Sequence, residues 1–348
     1  MRALTFQSER EVAVETVDDP RLDTPLDAIV RVQLCAVCGS DLHVYHGREK
    51  GIDPHCAMGH EFLGEVVEVG SGVSQLKPGQ RVVSPFTTSC GSCDFCRLGL
   101  TSRCQRGQLF GWVSDGVGLQ GSQAEYVRVP LADSTLIPLT DELDDREALL
   151  LGDVLSTGYF CAEQASIQKG GCWVVVGCGP VALCSILAAR ELGAERIFAI
   201  DRVPERLALA TAFGANALNF ETQDFRGEIF EATQGRGADA VLEGVGNATA
   251  HRSALDLLRP GGVLSVVGVH NEPQFSFSPT EAYDKNLTYR VGRCPARRLA
   301  GELSPFAARH ASSLRQLWTH EMPLDDGAKA YRIFDEKRDG CIKVALKP

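Results

Sequence analysis

The sequence predicts an α/β protein in which a doubly wound parallel sheet is joined to a second, mostly β domain. Three observations carry this expectation. Residues 173–201 read as strand, glycine turn, helix and strand in immediate succession. From there to Val291, short apolar runs alternate with helical stripes, the pattern of βαβ units. Before it, from Met1 to about Val129, short strands and turns follow one another without a helical period.

In the first segment we expect strands at 2–6, 12–16, 28–34, 65–69, 80–83 and 124–129, separated by turn signals such as Gly70-Ser71-Gly72 and Lys77-Pro78-Gly79. Two clusters of metal-ligating residue types interrupt them. The first is Cys38-Gly39-Ser40-Asp41-Leu42-His43, followed by Gly59-His60-Glu61. The second is Cys90, Cys93, Cys96 and Cys104, a C-x₂-C-x₂-C-x₇-C pattern. Four thiolates in so short a span form a closed tetrahedral zinc site without an open coordination position, which is structural and not catalytic. A redox dithiol would need only one CxxC and leaves two cysteines unexplained; an iron–sulfur cluster uses the same ligands and stays open as an alternative.

Near Leu149 the composition shifts, and Gly152-Asp153-Val154-Leu155-Ser156-Thr157-Gly158-Tyr159 leads through a helical stretch to the central strand, which ends in Gly177-Cys178-Gly179-Pro180-Val181-Ala182. This is GxGxxA. Gly177 can turn sharply, Gly179 lets backbone approach a pyrophosphate, and Ala182 is small enough for close helix–strand packing. Pro180 suits the first helical position, and an anion would sit on the helix N-terminus. The next strand, 196–200, ends in Asp201, where an acid can accept hydrogen bonds from an adenosine ribose and would repel a 2′-phosphate. Arg202 beside it opposes that preference, so NAD is favoured over NADP against one dissenting residue. A helix is expected at 204–213, strands at 217–219 and 240–243, a helix at 248–258 closed by Pro260-Gly261-Gly262, and strands at 263–267 and 287–291. The strands at 240–243 and 263–267 end in Gly244-Val245-Gly246 and Gly268-Val269-His270. Ligands of such sheets bind at the carboxyl ends of strands. Val245, Gly268 and Val269 therefore join Gly177, Gly179, Pro180, Val181, Asp201 and Arg202 as cofactor-contact candidates. We set the domains at 1–152 with 286–348, and at 153–285.

The formal net charge of −10 over 348 residues argues against nucleic acid or an anionic membrane as partner. The N-terminus has no secretory h-region and no apolar run is long enough to cross a bilayer, so a cytoplasmic protein is expected. In that setting the thirteen cysteines read as metal ligands and buried thiols and not as disulfides.

In these motifs the chain resembles the zinc-dependent alcohol dehydrogenases of the medium-chain dehydrogenase/reductase superfamily over essentially its whole length. The resemblance rests on Gly59-His60-Glu61 through Gly64 and Val69, the four-cysteine lobe, GDVLSTGY, GCGPVA and the closing YRIFDEKRDGCIKVALKP. It implies a GroES-like catalytic domain beside a Rossmann domain, and two zinc ions per chain. Cys38, His60 and Asp153 would hold the catalytic zinc, with Glu61 as a transient ligand and Cys90, Cys93, Cys96 and Cys104 holding the structural one. A thiolate, an imidazole and a carboxylate leave one position free, and Cys⁻, Asp⁻ and Zn²⁺ sum to no net charge. Asp153 stands where the best-known members have a second cysteine; its other reading is a helix N-cap before Val154. Asp41 would accept from the far nitrogen of His60. Ser40 and His43 match the family's proton relay, which ends on a histidine at the surface. The implied activity is NAD-linked oxidation of a primary or secondary alcohol to an aldehyde or ketone. A polyol, threonine or formaldehyde dehydrogenase and a non-catalytic dinucleotide-binding protein are the rival readings. A short loop after Arg106 is similar to the tetrameric branch, which implies a homotetramer.

Overall fold

The computed structural model describes residues 1–140, 142–166 and 170–348. They form two compact units, Met1–Ser156 with Pro295–Pro348, and Thr157–Cys294. The expected boundaries at 152/153 and 285/286 shift accordingly. The strand Thr288–Val291 pairs with Leu258–Val266, so this stretch belongs to the second unit and the chain leaves it only after Cys294.

In the first unit the main sheet runs in the order Trp318–Pro323, Lys343–Lys347, Ala28–Val37, Phe62–Val69, Arg81–Ser84, Ile137–Pro138, with Tyr126–Val129 also paired to Ala28–Val37. The strand starting at Ala28 extends to Val37, three residues beyond the expectation, and Cys35, Ala36 and Val37 are all fully buried. Burial of both faces over these residues removes the alternation by which a strand is recognised in sequence. The neighbouring strand begins at Phe62 and not at Glu65, because Gly64 reads as a breaker although it lies in mid-strand. The core joins the sheet to Leu4, Phe110, Tyr331 and Phe334, with Phe62 and Phe110 edge to face at 5.2 Å. Helix Gly327–Glu336 buries Ala330, Tyr331, Ile333 and Phe334, the i, i+3, i+4 spacing of one helical face. Deleting an aromatic ring such as that of Phe62 from this core costs about 3–5 kcal/mol.

The expected all-β lobe carries short helices as well, among them Asp41–Tyr45, Asp94–Arg97 and Asp145–Leu151. The first two are a single turn each, too short to show a helical period.

In the second unit, among the described residues, six parallel strands are Cys172–Val176, Arg196–Asp201, Asn216–Asn219, Ala238–Glu243, Leu258–Val266 and Thr288–Val291. In space they lie third, second, first, fourth, fifth, sixth, the order of a dinucleotide-binding sheet that reverses between first and fourth. Every residue of the first strand is buried. The fifth strand runs through Pro260-Gly261-Gly262, which the sequence suggests is a helix stop. The register with the fourth strand shifts between Ala238 and Ala240, and such an irregularity accommodates a proline without a ladder N–H. Helix Phe225–Ala232, capped by Asp224 accepting from Gly227 N, has no counterpart in the expected pattern, since Gly227 reads as a breaker.

Candidate metal and cofactor sites

The antiparallel pairing of Ala28–Val37 with Phe62–Val69 sets the end of one strand against the start of the other, with Cys35 opposite Phe62. Cys38, just past the first strand, and His60 and Glu61, just before the second, are thereby neighbours. Gly59 supplies the approach to His60 at φ +88, and a Cβ there would stand 2.4 Å from the Gln123 side chain. Asp153 follows helix Asp145–Leu151, and one ligand atom from each of Cys38, His60, Glu61 and Asp153 lies within 4.8 Å of all the others, every one of these residues buried.

Within this set Oδ2 of Asp153 is 3.5 Å from Cys38 Sγ and 3.3 Å from His60 Nε2. The Ser40 hydroxyl lies 3.2 Å from both Cys38 Sγ and His60 Nε2. Ser40 precedes helix Asp41–Tyr45 but makes no side-chain cap bond, so its hydroxyl is committed to the ligand cluster. Asp41 Oδ1 is 3.1 Å from His60 Nδ1, while its Oδ2 accepts from Cys38 N at 2.9 Å and from Gln123 Nε2 at 3.3 Å. Gln123 is held in turn by Tyr331, whose hydroxyl donates to Oε1 at 3.0 Å. This chain of buried bonds fixes which way the imidazole faces.

Glu61 and Lys343 are both essentially inaccessible, with Lys343 Nζ 2.8 Å from Glu61 Oε2 and donating to the carbonyl of Val37. The strand Lys343–Lys347 pairs with Ala28–Val37, Val344 opposite Val37, and this delivers the ammonium. The partner of Glu61 is thus a lysine from 282 residues away. His43 is buried at 8 % exposure and not at the surface, and the chain after its helix turns back so that Arg48 N and Glu49 N both donate to its carbonyl.

Burial, with the charges of Glu61 and Asp153, pushes the Cys38 thiol up to about 11. Burial also opposes charge on His60, but the carboxylates of Asp41 and Asp153 outweigh it and hold the imidazole well above its ordinary range. The donor set therefore fits a dication. A zinc ion would take over the compensation that protons otherwise supply, ionising the thiol and leaving the imidazole neutral.

Cys90, Cys93, Cys96 and Cys104 also bring their sulfurs within 4.8 Å of one another, at intermediate exposure. Backbone N–H groups of the same loop point at them: Cys93 N to Cys90 Sγ at 3.3 Å, and Cys90 N and Arg106 N to Cys104 Sγ at 3.2 and 3.4 Å. Burial opposes ionisation of Cys90, but donors from Ser92, Cys93 and Arg106 bring its thiol down to about 5. Burial and the neighbouring Cys93 and Cys104 push Cys96 up to about 12. A multivalent cation is what would let all four ionise together. All thirteen cysteines are free thiols.

In the second unit Gly177 turns at φ +86, and a Cβ there would meet Val245 Cγ2 at 2.5 Å. Gly179 is the N-cap of helix Pro180–Glu191 with Pro180 in its first turn. The Asp201 carboxylate accepts from Cys178 N at 2.7 Å, Arg202 N at 2.7 Å and Val203 N at 3.0 Å, so it braces the turn it follows. Arg202 turns to Glu221 at 3.2 Å. Val245 and Val269 are exposed at the carboxyl ends of the fourth and fifth strands. Arg206, which the motif reading passes over, sets Nη1 3.9 Å from where a Cβ of Gly179 would stand, and its Nε is buried without a hydrogen-bond partner among the described residues. A guanidinium whose buried Nε has no partner, beside a glycine turn at a helix N-terminus, fits a phosphate-bearing ligand.

Residues 24–141 match the family model for the alcohol dehydrogenase GroES-like domain, and residues 180–305 match that for zinc-binding dehydrogenases. The zinc-type alcohol dehydrogenase B of Aspergillus flavus is 42 % identical over 347 residues, 96 % of this chain and 79 % of that protein. The chain belongs to the zinc-type alcohol dehydrogenases. It is an oxidoreductase of the medium-chain superfamily with a GroES-like and a Rossmann domain. The alcohol dehydrogenase TADH of a Thermus species superposes with a TM-score of 0.92 at 40 % identity, covering 100 % of this chain and 99 % of that one. A sorbitol dehydrogenase of Bacillus subtilis is 30 % identical, covering 100 % of this chain and 97 % of its own. No helix among the described residues is long and apolar enough to cross a membrane.

Two contributors to this dehydrogenase's sites, Lys343 and Gln123, carry no local signal. Each is recognisable only through strand pairing or packing. Arg206 could have been found as a cation five residues past the strand-ending acid.

Proposed function

We propose that this dehydrogenase is a zinc-dependent, NAD-linked enzyme interconverting a primary or secondary alcohol and its aldehyde or ketone. The observation that carries the reading is the buried set Cys38, His60 and Asp153, with the Ser40 hydroxyl 3.2 Å from two of its members. One zinc is assigned to that set and a second to Cys90, Cys93, Cys96 and Cys104. When bound at the first site, zinc supplies Lewis-acid polarisation of the substrate oxygen. Asp41 holds His60 in the tautomer that leaves Nε2 free to ligate. Ser40 is the first carrier of the substrate hydroxyl proton, and His43 is the relay's next ionisable group. Lys343 keeps Glu61 neutralised, which leaves Glu61 able to approach the ligand cluster transiently.

NAD is favoured because the second strand of this sheet ends in an acid, Asp201, held in place by three backbone N–H groups, while Arg202 is engaged with Glu221. Gly177, Gly179, Pro180, Val181, Val245, Gly268 and Val269 are assigned to the remaining dinucleotide contacts, with Arg206 added. A carboxylate facing a phosphate dianion costs more than an exposed arginine returns, which is about 1 kcal/mol or less. A polyol substrate is the second reading, supported by the likeness to the sorbitol dehydrogenase. A homotetramer in the cytoplasm completes the proposal, and light scattering checks the oligomeric state. The deciding experiment is elemental analysis joined to an activity screen. Two zincs per chain, activity lost to a chelator and restored by zinc, and kcat/KM for NAD well above that for NADP are expected. A single zinc in active enzyme, iron in the four-cysteine loop, or equal use of both cofactors would overturn the corresponding assignment.

A further inference from the structure

The carboxyl ends of the fourth and fifth strands of the second unit hold a cluster of ionisable groups that takes no part in the proposed zinc and proton chemistry. Glu243, fully buried, ends the fourth strand. Its Oε1 accepts from Val245 N at 2.7 Å and Gly246 N at 2.8 Å, and its carbonyl accepts from Val267 N at 3.0 Å and Gly268 N at 3.2 Å. One residue thus ties together the turns that carry Val245 and Val269. Its other carboxylate oxygen, Oε2, is 3.2 Å from Nε2 of His270, and Nδ1 of the same ring is 3.4 Å from Oε2 of Glu272. Glu272 in turn accepts from Ala248 N at 3.1 Å, at the start of helix Ala248–Leu257.

Both ring nitrogens of His270 therefore face carboxylates. A neutral imidazole has one N–H and would set a lone pair against the second carboxylate, whereas an imidazolium donates to both. The other groups around the ring do not compete for this charge. His251, on helix Ala248–Leu257, lies 4.9 Å away between ring centroids with Nδ1 3.0 Å from Ser276 Oγ, and burial followed by the His270 charge holds it below the ordinary histidine value. Tyr289, from the sixth strand, is pushed up to about 12 by burial and Glu243 and stays neutral. The hydrogen bond to Glu243, against burial and with help from Glu272, holds His270 above its ordinary value.

We propose that His270 is a positioning residue whose imidazolium, bridging Glu243 and Glu272, locks the two cofactor-facing turns together, so that dinucleotide affinity falls when His270 loses its proton. This rests on the assignment of Val245, Gly268 and Val269 to cofactor contact. The sign follows from the raised titration: the bridge is complete below the ordinary histidine value and is lost only as pH rises through the higher, folded value. The test is the Kd of NAD and of NADH on zinc-loaded enzyme, by calorimetry from about pH 6 to about pH 9.5. Wild type should weaken roughly fivefold to tenfold across one step. His270→Gln should bind at the weak value throughout and lack that step. Glu272→Gln, a change at a partly exposed side chain, should move the step to lower pH because one of the two bracketing charges is gone. A His270→Gln profile parallel to wild type, or a Glu272→Gln step that does not move, would overturn the proposal. Failure of wild type to bind either dinucleotide at any pH would instead overturn the cofactor assignment on which it rests.

Discussion

The first unit contains two clusters of metal-ligating residue types built on opposite plans. The four cysteines come from fifteen consecutive residues, stand partly exposed and draw much of their polar support from backbone N–H groups of their own loop. Cys38, His60 and Asp153 come from three separated segments and are buried. They are held by further side chains, Asp41 of the Cys38 segment bonding to His60, and Gln123 and Tyr331 from elsewhere in the chain bonding to Asp41 and Gln123 in turn. A local loop can order its ligands whatever the rest of the chain does. A gathered site needs the whole sheet in register first, and in return each ligand gets a partner that sets its charge and orientation. The first plan suits a site that stabilises, the second one that reacts.

The comparison breaks most visibly at Cys38. Cys38→Ala should lower kcat/KM by about a thousandfold, since Lewis-acid stabilisation is worth several kcal/mol, while bound zinc drops to the one ion of the four-cysteine loop and the thermal midpoint moves little. Enzyme assay, elemental analysis and calorimetry on one preparation read all three, and retention of both zincs with full turnover would refute the ligand assignment.

Lys343→Met probes what burial demands of the gathered site. It leaves Glu61 charged and without its cation, a loss of about 3 kcal/mol in denaturant unfolding, as is typical when one partner of a buried pair is removed. Adding Glu61→Gln to the same chain should recover most of that loss. Two additive losses would mean that the pair does not act as a unit.

Ser40→Ala takes away the hydroxyl that touches both Cys38 and His60. A fall in kcat of about a hundredfold is expected, within the range for general acid–base groups, with zinc content unchanged. Unaltered turnover under conditions where chemistry limits the rate removes Ser40 from the proton path.

The smallest effect belongs to the local loop. Cys96→Ser should cost on the order of 2 kcal/mol of stability and one zinc, with turnover per remaining zinc nearly intact. A loss of activity as large as that of Cys38→Ala would erase the distinction between the two plans.

Much of this molecule is local, and that much was legible in the sequence. The four-cysteine loop, the GCGPVA turn with Asp201 at the end of the next strand, and the alternation of the parallel sheet all act over fewer than about 30 residues, where spacing alone fixes proximity. Tertiary structure decided the rest. Asp153 faces Cys38 and His60 because helix Asp145–Leu151 brings it to the end of Ala28–Val37, and Lys343 meets Glu61 because Val344 pairs with Val37. His270 meets Glu243 because the end of the fourth strand and the turn after the fifth converge there. The physical reason is the same in each case. A one-dimensional pattern records which face a side chain takes, but which distant charge it meets depends on strand register and packing, and these settle only when the whole unit folds.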